Sequence, residues 1–168
     1  MLSIRTATPA DVPAIHAMIR GLAEYERLLD QVDATEASLH ASLFAQPARV
    51  FCDIARWTDA TGTTAAGFAL WFYSYSTFRG RHGLYLEDLF VQPAHRGRGI
   101  GRALLVQLAR RCVTEDLARL EWSVLDWNEP ALRFYRALGA QPLDEWTVHR
   151  VTGTALATLA ADAARGAS

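Results

Sequence analysis

The sequence predicts an α+β (mixed α/β) fold, a mixed central sheet with helices on both faces. Three observations carry that prediction. Strand-like and helix-like segments follow one another in the order β, α, α, three strands, α, β, α, β. An apolar strand, Leu84–Val91, runs through a loop rich in arginine and glycine into a helix. The 168 residues are 51% hydrophobic, with no repeat or low-complexity linker, so residues 1–168 read as one domain with a full core.

Each element has its own signal. Leu2–Thr6 is a short apolar strand. Thr8-Pro9-Ala10-Asp11 starts a helix: a capping threonine, a proline at the first helical position and an acid three residues after the cap. Val12, Ile15, Ile19 and Leu22 then recur at helical spacing. Thr35 opens a second helix through Leu39 and Leu43. Val50–Trp57 and Ala65–Tyr75 read as adjacent strands joined by a turn at Thr58–Thr64. After Leu84–Val91 come a helix over Gly101–Glu115, a strand over Leu120–Leu125, a short helix over Pro130–Leu138 and a last strand over Glu145–Thr152. The alanine-rich stretch after Gly153 reads as a final helix or a frayed end.

Composition narrows the function. The net charge of -1 leaves no basic stripe for a nucleic acid. No apolar run is long enough to span a bilayer, and the N-terminus lacks a signal-peptide pattern, so no membrane partner and a cytoplasmic location are expected. All 17 basic residues are arginine. Cys52 and Cys112 read as buried thiols. His16, His40, His82, His95 and His149 have no metal-ligand spacing, so no metal is assigned.

The chemistry concentrates at Arg96-Gly97-Arg98-Gly99-Ile100-Gly101-Arg102. Three glycines at alternate positions let the backbone approach a ligand closely, and the helix that follows aims its free N–H groups and positive dipole end there. That arrangement, with three arginines around it, suits a phosphate. A Walker A loop is excluded because the chain has no lysine, and the dinucleotide fingerprint is excluded because its third glycine position holds Arg102. Downstream, Trp127-Asn128-Glu129-Pro130 leads into Phe134-Tyr135 and a helix-ending Gly139.

The arginine–glycine loop resembles motif A of the GNAT superfamily of N-acetyltransferases, and the Asn128–Gly139 stretch resembles motif B. Leu84-Tyr85-Leu86-Glu87-Asp88, with these motifs and Leu22-Ala23-Glu24-Tyr25-Glu26, is similar to the spermidine/spermine (diamine) and thialysine N-acetyltransferase branch. The resemblance implies the GNAT acyl-CoA N-acyltransferase fold and acetyl-CoA as co-substrate. It places the pantetheine arm and acetyl carbonyl on the backbone of Leu89, Phe90 and Val91. The pyrophosphate falls at Arg96, Gly97, Arg98, Gly99, Ile100, Gly101 and Arg102, and a further cofactor wall at Asn128, Glu129, Pro130, Ala131 and Tyr135. The same resemblance lines the acceptor pocket with Tyr25, Glu26, Glu87, Glu121, Trp122 and Ser123, and implies a homodimer.

Acetyl transfer to an ammonium with a pKa near 10 needs a base at the nitrogen and an acid at the departing thiolate. The resemblance assigns the base to Glu87 and the acid to Tyr135. Strand alternation would put Glu87 and Asp88 on opposite faces, leaving only one in the site. Taken without the resemblance, Glu87 is also compatible with a solvated strand acid and Tyr135 with a core aromatic. Arg27, Leu28 and Leu29 thin the acidic stretch after the first helix and favour a short amine or amino-acid side chain over a long polyamine. The expected reaction is direct acetyl transfer to a primary amine of a small cationic acceptor, without an acyl-enzyme. The alternatives are a protein or peptide amine acceptor, and a non-catalytic acyl-CoA sensor.

Overall fold

The computed structural model describes residues 1–162. The chain forms two compact units, Met1–Ser123 and the segment beginning at Val124. The first holds β1 (Leu2–Thr6), α1 (Val12–Tyr25), α2 (Glu36–Leu43), β2 (Phe51–Asp59), β3 (Gly62–Ser76), β4 (Arg81–Val91), α3 (Ile100–Thr114) and β5 (Leu120–Trp122). The second holds α4 (Glu129–Ala137) and α5 (Gly153–Asp162).

The five strands lie in the order β1-β2-β3-β4-β5, antiparallel except for the parallel pair β4–β5. That pair is joined through α3, the crossover a parallel connection requires. Helices cover both faces. On one, Ile15 and Met18 of α1 and Leu43 of α2 pack on Cys52, Ile54, Phe68, Leu70 and Phe90. On the other, α3 buries Leu104 and Leu108, and its Arg111 guanidinium lies 4.8 Å from the Trp71 ring centre. Arg111 also pairs with Glu115 at 2.7 Å, and Glu115 accepts from the Tyr73 hydroxyl at 2.6 Å. This network ties the helix to β3 and so fixes where its N-terminus points.

The capping signals form as expected, with one refinement. A turn of 3-10 helix over Pro9–Asp11 precedes α1. The Asp11 carboxylate accepts from the Thr8 N–H at 2.7 Å and from its hydroxyl at 2.8 Å. Arg5 reaches the same carboxylate through both terminal nitrogens, at 2.7 and 2.9 Å. Asp11 is buried, and this partnership holds its carboxyl down at about 2. At α2 the Thr35 hydroxyl accepts from the Ser38 N–H at 3.1 Å. Cys52 and Cys112 are buried free thiols, and burial holds Cys52 protonated.

Two features differ from expectation. The strand expected over Glu145–Thr152 does not form: the stretch has no regular structure, with Trp146 74% and Val148 80% exposed. Its alternating apolar residues carry the period of a strand, but a strand needs a neighbour for its backbone groups, and this stretch has no strand partner among the described residues. Second, β5 stops at Trp122 rather than Leu125. Beyond Gly153 the chain is helical through Asp162, and residues 163–168 lie outside the described part.

Candidate active site

The site begins with a break in the register of β4. Leu70 of β3 faces Asp88, while the next residue, Trp71, faces Leu86. Glu87 is thus an extra residue, the signature of a β-bulge. The bulge corrects the alternation argument, since residues 87 and 88 do not simply take opposite faces. Asp88, opposite Leu70, and Phe90, opposite Phe68, both sit on the α1 face.

The bulge also ends the pairing with β5. The ladder runs from Leu84↔Leu120 through Leu86↔Trp122 and stops there. From Asp88 to Val91, β4 stays paired with β3 on one side and has no strand on the other among the described residues. On that side the backbone of Leu89, Phe90 and Val91 is therefore a strand edge, which amide groups of a ligand can join.

At the end of this strand the loop turns into α3. Gly97 and Gly99 have φ of 75° and 76°, a left-handed backbone that only glycine adopts without strain. Gly99 is the N-cap and offers no capping side chain, so the N–H groups of Ile100, Gly101 and Arg102 open α3 without a side-chain acceptor. Arg98 lies 4.8 Å from the centre of the Trp57 ring, and Arg102 is exposed on the first turn.

Carboxylates gather at the bulge. Asp88 is half-buried, and its pKa is raised to about 6, first by burial and then by the charges of Glu87 and Glu26. Burial also raises the pKa of Glu26. Glu87 itself is exposed. Of the residues expected along β5, Glu121 pairs with Arg119 at 2.6 Å, and Ser123 shares a 2.7 Å hydrogen bond with Tyr85. Tyr85 stacks on Phe72 with ring centres 5.2 Å apart, and Trp122 is half-buried in the last β5 position.

Tyr25 and Arg96, expected in different subsites, are brought together. The Arg96 guanidinium lies 5.2 Å from the Tyr25 ring centre and 5.7 Å from that of Phe90. Its Nε donates to the Val91 carbonyl at 3.1 Å. Tyr25, Phe90 and Arg96 border a cavity of about 380 Å³ between α1 and the end of β4, lined also by Met18, Gly21, Glu24 and Gln92.

In the second unit, the Asn128 side chain caps α4 by accepting from the Ala131 N–H at 3.3 Å. Glu129 and Pro130 form the first turn, and Gly139, with φ of 86°, follows the helix end. Tyr135 is half-buried beside Phe134, ring centres 5.2 Å apart.

Sequence reasoning passed over Asp88 and the contact of Arg96 with Tyr25. The acidic pair inside an apolar strand was the available signal for the first, since a bulge is one way to seat two adjacent acids there. Nothing local in the sequence signals the second, which joins residues 71 positions apart.

Comparison with known proteins agrees with this architecture. Residues 15–140 match the acetyltransferase (GNAT) family. The chain is 40% identical to the thialysine N-epsilon-acetyltransferase of Bos taurus, covering 94% of this chain and 96% of that protein. It is 33% identical to the L-ornithine N5-acetyltransferase NATA1 of Arabidopsis thaliana, over 91% of this chain and 85% of that one. An integron cassette protein from the V. cholerae mobile metagenome has a solved structure of like fold, with TM-score 0.75, 26% identity and coverage of 95% and 97%. With the fold, the bulged strand and the glycine loop in place, these likenesses establish that the chain belongs to the GNAT family of acetyltransferases.

Proposed function

We propose that the protein moves the acetyl group of acetyl-CoA directly to a side-chain amine of a small cationic acceptor, with amino acids of the ornithine and thialysine type as the leading class. The single observation that carries this reading is the bulge at Glu87, which opens the β4 edge and gathers Glu87, Asp88 and Glu26 beside it.

The chain's own groups fit the donor. An unpaired strand edge suits the amides of the pantetheine arm, and Gly97, Gly99 and the uncapped start of α3 suit a pyrophosphate, with Arg98 and Arg102 adding charge. Asn128 to Ala131 complete the donor wall in this reading. The carboxylates suit the acceptor: an ammonium is drawn to them, and Glu87 removes one of its protons. The amine nitrogen then attacks the thioester carbonyl, a C–N bond forms, the C–S bond breaks, the Tyr135 phenol protonates the departing thiolate, and the nitrogen's second surplus proton returns through water to the tyrosinate. No side-chain nucleophile enters the sequence of events.

Two substitutions test the roles. Tyr135→Phe lowers kcat by about 10²-fold or more while acetyl-CoA still binds in calorimetry. Glu87→Gln lowers kcat/KM for the amine. Unchanged turnover in both variants would refute the assignment.

A further inference from the structure

Asp53 lies in the middle of β2 and is only 2% exposed. Its neighbours Cys52 and Ile54 belong to the core under α1, so strand alternation turns Asp53 to the opposite face, under α3. There the Thr6 hydroxyl donates to its Oδ1 at 3.4 Å, and burial raises its pKa against the opposing charge of Arg111. Its Oδ2, the Trp71 indole N–H and the Arg111 Nε are all buried and lack a full hydrogen bond. One acceptor and two donors are thus gathered, incompletely paired, where β2 and β3 meet α3. Such a group is costly to bury, and apolar residues of similar volume would stabilise the interface as well or better. Stability alone does not account for it.

We infer that Asp53 is a positioning residue for the donor: through Arg111 it sets the tilt of α3, and with it the place where the N–H groups of Ile100, Gly101 and Arg102 meet the pyrophosphate of acetyl-CoA. The inference rests on the donor reading above. The start of α3 carries no capping side chain, so a helix left open there for an anion has to be located by contacts further along. Ile100, Leu104, Leu105 and Leu108 hold α3 to the sheet through apolar contact, which has no direction of its own. Arg111 supplies direction. Its guanidinium is fixed by the Trp71 ring at 4.8 Å, by Glu115 at 2.7 Å and by the Asp53 charge on β2. From Arg111 back to Ile100 the helix runs roughly 16 Å, so a tilt of about 4° moves the first turn by about 1 Å. Misplacement on that scale is costly at a binding site.

The test is a double-mutant cycle on coenzyme A affinity, read by calorimetry, with Tm measured on each protein. Asp53→Leu and Arg111→Met each weaken coenzyme A binding by about 10-fold, and the double variant loses no more than either alone, because both act on one contact. The KM for the amine stays unchanged. The Tm of the double variant is no lower than that of the unmodified protein, which separates the loss from unfolding. Losses that add, affinity that falls only as Tm falls, or an amine KM raised in step would overturn the inference. Should Asp53→Leu not fold, Asp53→Asn takes its place in the cycle under the same criteria. Unmodified protein that binds no coenzyme A would sink the donor reading instead. Hydrogen exchange at the Ala103 and Leu104 amides, in the first turns of α3, then decides the positioning: faster exchange in the double variant upholds it, and unchanged exchange overturns it.

Discussion

Asp88 of β4 stands opposite Leu70 of β3, although strict pairing from Leu86 and Trp71 would have put Glu87 there. One extra residue therefore carries two consequences. It ends the ladder to β5, and it leaves a half-buried aspartate next to an exposed glutamate. In this account the donor edge and the acceptor carboxylates arise from the same irregularity.

The raised pKa of Asp88 predicts an acidic limb in the rate. With Asp88 at about 6, the ionised form that attracts an ammonium is lost as pH falls through that value. A plot of kcat/KM against pH should bend near pH 6, and Asp88→Asn should remove the bend while lowering the plateau. The same group affects stability. A carboxyl whose pKa is higher in the folded than in the unfolded state costs stability as pH rises from about 4 to about 6. Asp88→Asn should therefore raise Tm at pH 7.5 more than at pH 4, and an equal effect at both would contradict the raised value.

Asp11 predicts the opposite sign. Its carboxyl is held at about 2, chiefly by the Arg5 hydrogen bonds, so the stability it contributes is present above pH 4 and lost as pH falls through 2. Asp11→Asn should cost about 2 kcal/mol at pH 7, lowering Tm by roughly 4–8 °C, with the gap closing between pH 4 and 2.

Much of this architecture was readable from local chemistry. Thr8, Pro9 and Asp11 announced the start of the first helical segment, and Thr35 that of α2, because capping depends only on residues a few positions apart. The arginine–glycine loop was readable because left-handed φ at Gly97 and Gly99 restricts residue choice. The bulge was not, because it is a property of two paired strands and alternation within β4 alone conceals it. Trp146 and Val148 misled in the other direction: their alternation resembles a strand, and only the missing neighbour shows that none forms.

The glycines of the loop make separable predictions. Gly99 needs its positive φ, and a Cβ there meets nothing within 4 Å. Gly99→Ala should cost about 1 kcal/mol of strain and displace the start of α3. Gly101 lies within the first turn of α3, where alanine is the better helix former. Gly101→Ala should leave Tm unchanged or raise it while weakening acetyl-CoA binding, because its methyl group occupies the space a phosphate needs. If acetyl-CoA binds Gly101→Ala with full affinity, the phosphate does not approach this turn.

Gly67 tests the support of the donor strand. A Cβ there would fall 2.6 Å from the Phe90 carbonyl oxygen, a backbone atom that cannot move without shifting β4. Gly67→Ala should lower Tm, and the surviving folded protein should bind acetyl-CoA less tightly. Thermal melts and calorimetry on one preparation check both.

Acetyl transfer to a small amine at the bulged strand can be followed as thiol release from acetyl-CoA across a panel containing L-ornithine, thialysine, L-lysine, 1,4-diaminobutane and spermidine. Release should require an amine, be fastest with the amino acids and fall sharply in Tyr135→Phe. A protein that binds acetyl-CoA yet releases no thiol with any of these amines would contradict it.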